Sequence, residues 1–381
     1  MKIVISRNEL ASGISAVEKF VPSKTPISIL TGIKFSAYDD FLCLSATNLD
    51  MGIEYKIKNE SDKLSILEGG SIVIGSKILS EIIRRISENT VEFDSRENKA
   101  YISSGQFNMV LPCFDAMDFP EISRNNSSDG IRLRQGMFKD MIKRTIYARA
   151  DDTTSRPQLT GALIDYKDNI LNMVALDGFR IAWCCEQLNE TEASDINEFK
   201  TIVPGDTLLE ILRIFKDDEQ AYFELYASKN SVEFLTEKFL ITSRVLDGDF
   251  IDYNTVMQIK PKTTAIVTTD ELRLAVERAS VLAREGNTNN LVKFYIAENS
   301  IEVQAETELG RITDKVLCNT EGEEMLIAFN AGFFIDALKT IFSPEIKLHF
   351  SDETGPCIIT ALETDNHKNF ILPVRLRGDN P

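Results

Sequence analysis

The feature that most narrows what this chain can fold into is an internal repeat. Leu30-Thr31-Gly32-Ile33-Lys34-Phe35 returns as Leu159-Thr160-Gly161-Ala162-Leu163-Ile164, and residues 72–84 return as 201–213. Gly32 to Gly161 and Glu81 to Glu210 are both steps of 129 residues, so two separated matches share one register. A fainter third copy runs from Leu326 to Leu338, and the unit end Val110-Leu111-Pro112 is echoed by Ile371-Leu372-Pro373. Self-similarity at a fixed period means one structural unit used several times, here three times in a row.

Each unit runs through the same order of periods. Residues 8–21, 136–148 and 270–283 carry apolar side chains at steps of three and four, as in Leu10, Ile14 and Val17, which predicts a helix. Alternating strands follow, such as 32–35 and 41–46, joined by a polar turn at Asp39-Asp40. Equivalent turns stand at Lys167-Asp168-Asn169 and Glu298-Asn299-Ser300. A strand then enters a second helix, and two more strands are expected to close the unit. Helices and strands that are each apolar on one face pack most economically as helices gathered on one side of an antiparallel sheet, an α+β fold. Polar, turn-rich linkers at 123–130 and 260–264 place the domains at 1–123, 130–257 and 265–377, with 378–381 as a tail.

The net charge of −17 disfavours a protein that coats nucleic acid by bulk attraction. Its distribution is uneven. The six candidate helices together carry +5, which leaves −22 on the remainder, and screening confines each charge to about 8 Å at physiological salt. Helices on one side of the sheet would therefore gather Lys77, Arg84, Arg85, Lys139, Lys143, Arg144, Arg213, Lys216, Arg273, Arg278 and Lys339 on a face suited to phosphate contact without base reading.

No phosphate-binding loop, dinucleotide fingerprint, zinc-protease, nucleophile-elbow or EF-hand motif occurs. Asp151, Asp152 and Asp177 are the carboxylates on which any catalytic reading would rest, and nothing gives them the opposed environments that acid–base pairs need. The six cysteines form no C-x-x-C pair, and with only His349 and His367 no zinc site of ordinary spacing can be assembled. Reduced thiols, no cofactor and no metal are expected. With no stretch of 18 apolar residues and no signal-like start, no membrane partner and a cytoplasmic location are expected.

The three-unit pattern, with Leu159-Thr160-Gly161, Ala175-Leu176-Asp177-Gly178-Phe179-Arg180-Ile181, Asp247-Gly248-Asp249-Phe250 and Ile371-Leu372-Pro373-Val374-Arg375-Leu376, resembles the bacterial DNA polymerase III β subunit, the replicative sliding clamp. The resemblance covers residues 1–376. It implies a DNA clamp fold of three repeated domains, helices lining the inner face and antiparallel sheets outside. It further implies a head-to-tail homodimer closing into a ring around double-stranded DNA, which acts as a processivity factor without catalysis. The implied contact between copies involves Phe107, Met109, Val281 and Leu282. Lys24, Arg156 and Arg284 fall where the family contacts DNA, alongside Lys77, Arg84, Arg85, Lys139, Lys143, Arg144, Arg213 and Arg278.

The resemblance also implies a pocket for a short linear motif of partner proteins: the polymerase III alpha or PolC-type subunit, the clamp loader, other DNA polymerases and repair proteins. Its residues here would be Leu159, Leu176, Gly178, Phe179, Arg180, Ile181, Ile251, Val256, Asn330, Phe333, Pro373, Val374, Arg375 and Leu376. Three positions depart from the family's habit: Phe179 replaces a His, Ile251 a Pro, and Thr255 stands where a basic residue is frequent. Removing the chain after Lys368 is expected to abolish peptide binding and spare the dimer. A scaffold of three repeats with no DNA role is the competing reading, separated by retention on circular against linear DNA.

Overall fold

The computed structural model describes residues 1–60, 62–122, 124, 130–189, 198–218, 220–285 and 289–376. The linker at 123–130, apart from residues 124 and 130, and the tail from 377 onward lie outside these. The first repeat runs β1 (Lys2–Ser6), α1 (Arg7–Val17), β2 (Gly32–Ala37), β3 (Phe41–Thr47), β4 (Met51–Lys58), β5 (Leu64–Glu68), β6 (Gly70–Gly75), α2 (Ser76–Ile83), β7 (Thr90–Arg96), β8 (Lys99–Ser104) and β9 (Phe107–Asp115). The second runs β10 (Ile131–Arg134), α3 (Gln135–Thr145), β11 (Gly161–Lys167), β12 (Ile170–Leu176), β13 (Arg180–Gln187), β14 (Glu198–Pro204), α4 (Gly205–Ile214), β15 (Tyr222–Ala227), β16 (Ser231–Leu235) and β17 (Phe239–Arg244). A short helix, α5 (Tyr253–Met257), precedes the third: β18 (Thr263–Thr268), α6 (Thr269–Glu285), β19 (Leu291–Ala297), β20 (Ser300–Thr307), β21 (Gly310–Glu321), β22 (Met325–Asn330), α7 (Ala331–Leu338), β23 (Glu345–Phe350), β24 (Cys357–Ala361) and β25 (His367–Ile371). All six expected helices form. Before its second helix the first repeat holds two strands more than the periodicity indicated and the second and third hold one more, and each repeat holds one more after that helix.

Those extra strands join neighbouring repeats. β4 of the first repeat pairs antiparallel with β17 of the second, Ile53 opposite Ile241, and β13 of the second pairs with β25 of the third, Ala182 opposite Asn369. The described residues consequently form two compact units that cut across the second repeat: Met1–Gly136 with Arg213–Val245, and 137–189 with 198–212 and 246–376. The first contains a 13-stranded sheet in the order β10-β15-β16-β17-β4-β3-β2-β6-β9-β8-β7-β1-β5. The second contains a 12-stranded sheet, β14-β11-β12-β13-β25-β24-β23-β18-β21-β20-β19-β22.

Local chemistry accounts for the elements. Two-residue turns with both central residues in the left-handed region connect β7 to β8 at Glu97-Asn98 and β11 to β12 at Asp168-Asn169, matching the strand twist. In the first unit, α1 lies so close to β3 and β4 that a Cβ at Gly13 would meet Leu44 Cδ1 at 2.8 Å. In the second, α6 buries Leu272, Ala275, Val276, Ala279 and Ala283 at helical spacing, small residues that bring its axis near the sheet. Phe294, Phe329 and Phe334 meet beneath it with ring centroids 4.8–5.5 Å apart. The six cysteines are free thiols. Among the described residues no cluster of side chains is arranged to hold a metal, and no helix is long and apolar enough to cross a membrane.

Burial makes His367, in the core of the second unit, sensitive to pH. His367 on β25 is 5% exposed, and burial, reinforced by the nearby Arg144 charge, lowers its pKa from 6.5 to about 4. Between those values the unfolded chain binds the proton and the folded chain does not, so acidification through this window removes stability, by about 3 kcal/mol once complete. His367→Gln is expected to flatten that part of the urea-midpoint profile between pH 7 and 4; an unchanged slope would contradict the assignment.

Candidate peptide-binding site and basic helix faces

In the second unit, the turn between β12 and β13 is built by Asp177. Its Oδ1 accepts the backbone N–H groups of Phe179 (2.8 Å) and Arg180 (3.0 Å), and its Oδ2 accepts Arg180 Nε at 3.0 Å. Gly178 sits at φ +95°, where a side chain would strain the backbone. Asp177 is thus occupied as a turn and orienting group rather than poised for proton transfer. Asp152 is likewise engaged, by Arg149 at 3.1 Å.

Arg180 is the hub. Its side chain is 12% exposed, donates to Asp336 Oδ2 at 2.7 Å and to the Tyr147 carbonyl at 2.9 Å, and lies over the Phe333 ring at 4.6 Å. Phe333 in turn stacks on Phe179, centroids 6.2 Å apart and planes at 23°. Phe179 is 62% exposed, so an aromatic shelf backed by a cation faces solvent. The chain after β25 runs beside it: Leu372 N–H donates to the Phe179 carbonyl (2.9 Å) and Val374 N–H to the Ala328 carbonyl (2.8 Å). Pro373 is half-buried between them, and Val374, Arg375 and Leu376 are exposed. Asn330 caps α7 through Gly332 N–H at 2.8 Å, three residues before Phe333.

The remaining expected residues take a deeper position. Leu159 and Leu176 are buried in one cluster with Ala150, and the half-buried Ile181 and Phe250 pack against it. Ile251 is 44% exposed and Val256 half-buried on α5. That short helix is capped by Asp252 and tied down by Tyr253, whose hydroxyl donates to the buried Asp165 at 2.8 Å. Thr255 bonds Asp252 at 3.3 Å. Sequence reasoning missed Tyr147, Asp336 and Phe250. Asp336 had a signal, since it follows Phe333 by three residues on α7 and so shares its face. Tyr147 had none.

The cations divide. Lys24, Lys77, Arg84, Arg85, Lys143, Arg156, Arg213, Arg278 and Arg284 are exposed, with Arg84 paired to Glu18, Lys143 to Asp140 at 3.3 Å and Arg278 to Asp314 at 2.6 Å. Arg144 is partly covered, 3.8 Å from Glu186. Lys139 corrects the sequence expectation: it is only 6% exposed, because its turn of α3 faces into the fold beside Phe138 and Ile142, and it presents no free face to a ligand. Phe107 and Val281 are exposed at 38% and 63%, while Met109 and Leu282 are half-buried.

Residues 1–123, 132–252 and 255–375 match, in order, the N-terminal, central and C-terminal domains of the DNA polymerase III beta subunit. The beta sliding clamp of Bacillus subtilis is 33% identical over 98% of this chain and all of its own length. The chain belongs to the DNA polymerase III beta subunit family. The solved sliding clamp of Bacillus subtilis superposes with a TM-score of 0.93 at 30% identity over 99% of both chains. The beta subunit of Thermotoga maritima gives 0.89 at 27% identity, covering 98% of this chain and 99% of that one. Its fold is the clamp fold, and its function that of a DNA sliding clamp, a processivity factor that carries no catalytic site and has DNA and a DNA polymerase as partners.

Proposed function

We propose that two copies of this clamp join head to tail through β9 of one and β21 of the other, closing a ring around duplex DNA. The observation that carries this is the pattern of strand edges. Within the chain, the third strand after each repeat's first helix pairs with the last strand of the following repeat, as β4 with β17 and β13 with β25. This leaves β21 and β9. Residues 107–111 of β9 bond β8 on one side, β6 reaching only 113–115, and residues 310–317 of β21 bond β20 on one side, β18 reaching only 318–321. Open edges of this kind invite pairing, and a heterologous contact that closes after two copies satisfies both. The register of the internal junctions, carried over, sets Met109 opposite Ile312, both half-buried in the single chain. A cavity of about 350 Å³ bounded by Ile82, Ile86 and Phe107 would receive Val281 of the second copy. The divisions 1–123, 130–257 and 265–377, with 378–381 as a tail, are then the units of the ring, six in all.

A ring holds DNA by enclosing it, so weak phosphate contacts from the exposed cations suffice and allow sliding. The shelf of Phe179, Phe333 and Arg180, with Ile181, Ile251, Val256 and the strand 373–376, would take the short motif of the polymerase III alpha or PolC-type subunit, clamp loader and repair proteins. Apolar burial supplies affinity there, and the backbone and Arg180 orient the peptide.

A cut after Lys368 is unsuitable as a test, because it removes Asn369, Phe370 and Ile371, which are buried at 0–2% exposure. Ending the chain after Leu372 keeps β25 whole. It is expected to weaken binding of a polymerase C-terminal peptide by about tenfold or more, with the thermal midpoint within about 3 °C of the parent. Unchanged peptide affinity would remove 373–376 from the site.

A further inference from the structure

In the second unit, the strap 246–257 brings Ile251 and Val256 to the proposed peptide site, and its helix, α5, is five residues long. So short a helix has no stability of its own in water, and its place is set by what it touches. Leu246 N–H donates to the Ile202 carbonyl at 2.9 Å, and Tyr253 is buried against Leu163, Val174 and Ile202, which stand on one face of the paired strands β11, β12 and β14. The Tyr253 hydroxyl ends on Asp165 Oδ2 at 2.8 Å, and both residues are 5% exposed. Lys200, largely solvent-facing, reaches the same oxygen at 3.2 Å. Asp165 is thus a covered carboxylate held by a hydroxyl from the strap and an ammonium from β14, and hydrogen bonds to charged groups are the strong ones.

Packing carries this pin to the peptide site. Ile181 and Phe250 lie against the Tyr253 cluster and also against the cluster of Leu159 and Leu176. Tyr253 and Val256 stand three residues apart on α5 and share a face, and Ile251 precedes Tyr253 by two residues. Whatever fixes Tyr253 therefore fixes both strap contacts.

We propose that Asp165 and Tyr253 are positioning residues for peptide binding: without touching the peptide, they pin α5 to the sheet so that Ile251 and Val256 are in place before it arrives. The proposal rests on the peptide-site reading and names the residues that preorganise that site. A strap already ordered spares the peptide the entropy of ordering it, which raises affinity without a new contact. The chain carries its own reporter. Trp183 is the one tryptophan of the sequence and packs, half-buried, against the same cluster as Tyr253, so its emission follows the strap.

The test is fluorescence anisotropy of a labelled polymerase C-terminal peptide with the full chain, well below the thermal midpoint of each variant, with Trp183 emission as a second readout. Tyr253→Phe removes one oxygen and keeps the ring; it is expected to weaken the peptide about tenfold and to shift Trp183 emission to the red. Asp165→Ala should do the same. Asp165→Asn keeps an acceptor for the hydroxyl and should recover more than half of that loss. In an Ile251→Ala/Val256→Ala background, Tyr253→Phe should change affinity by less than about twofold, because the contacts it positions are gone, whereas a merely structural tyrosine would show its full effect there too. Parental affinity for Tyr253→Phe, or the same loss in both backgrounds, would overturn the proposal. So would parental affinity for Ile251→Ala/Val256→Ala, since α5 would then have nothing to position. The two levels separate: a parent chain that binds no peptide defeats the site reading itself, whereas a parent that binds it as tightly as Tyr253→Phe does defeats only the pin.

Discussion

Arg180→Ala is expected to lower both the stability of the second unit and its affinity for partner peptides. The guanidinium is 12% exposed and holds Asp177, itself 14% exposed, together with Asp336 and the Tyr147 carbonyl. Its loss strands a poorly solvated carboxylate and an unsatisfied carbonyl, and removes the cation over Phe333. Breaking one side of such an arrangement costs about 3 kcal/mol, which for a unit of this size is a fall of roughly 6–12 °C in thermal midpoint. Peptide affinity should drop by more than about tenfold, because Phe333 and the turn bearing Phe179 lose their common anchor. Arg180→Lys keeps the charge but not the fork, and should recover less than half of either loss. A parental thermal midpoint for Arg180→Ala would show that the network does not hold the turn.

Val281→Glu is expected to convert a dimer into a stable monomer. The position is 63% exposed in the single chain, so the folded protomer tolerates a charge there. In the proposed ring the same side chain enters the cavity beside Phe107, where the change forfeits apolar burial and desolvates a carboxylate, about 2–3 kcal/mol per contact. A two-chain ring contains this contact twice. The combined loss of about 5 kcal/mol weakens dimerisation by several thousandfold. Light scattering at micromolar protein should give the protomer mass for the variant and twice that for the parent, with equal thermal midpoints for the protomer fold. A variant that remains dimeric would move the interface elsewhere.

The sequence disclosed the repeat, the six long helices and most hairpins because each depends on local period and turn chemistry. It did not disclose how repeats are joined. β21 shows why: Arg311, Thr313 and Lys315 alternate with residues only half covered within one chain, so the strand lacks the apolar face by which strands are recognised. The lining of the proposed peptide site was reached through family likeness at Phe179, Arg180 and Phe333, whereas Tyr147 supplies a backbone carbonyl that no residue type encodes. Lys139 illustrates the opposite failure. A lysine at helical spacing reads as solvent-facing, and only the packing around α3 shows that it is covered. Phe179 and Ile251, two of the three departures from family habit, both lie exposed, 62% and 44%, at the rim of the proposed site, so their change leaves the core untouched.

The central claim is that this protein holds DNA by enclosing it. The direct measurement is the lifetime of the clamp on a nicked plasmid after loader treatment, before and after the plasmid is cut once. Enclosure predicts long retention on the circle and rapid loss through the new ends once it is linear. Equal retention on both forms would contradict it, since only adhesion is indifferent to topology.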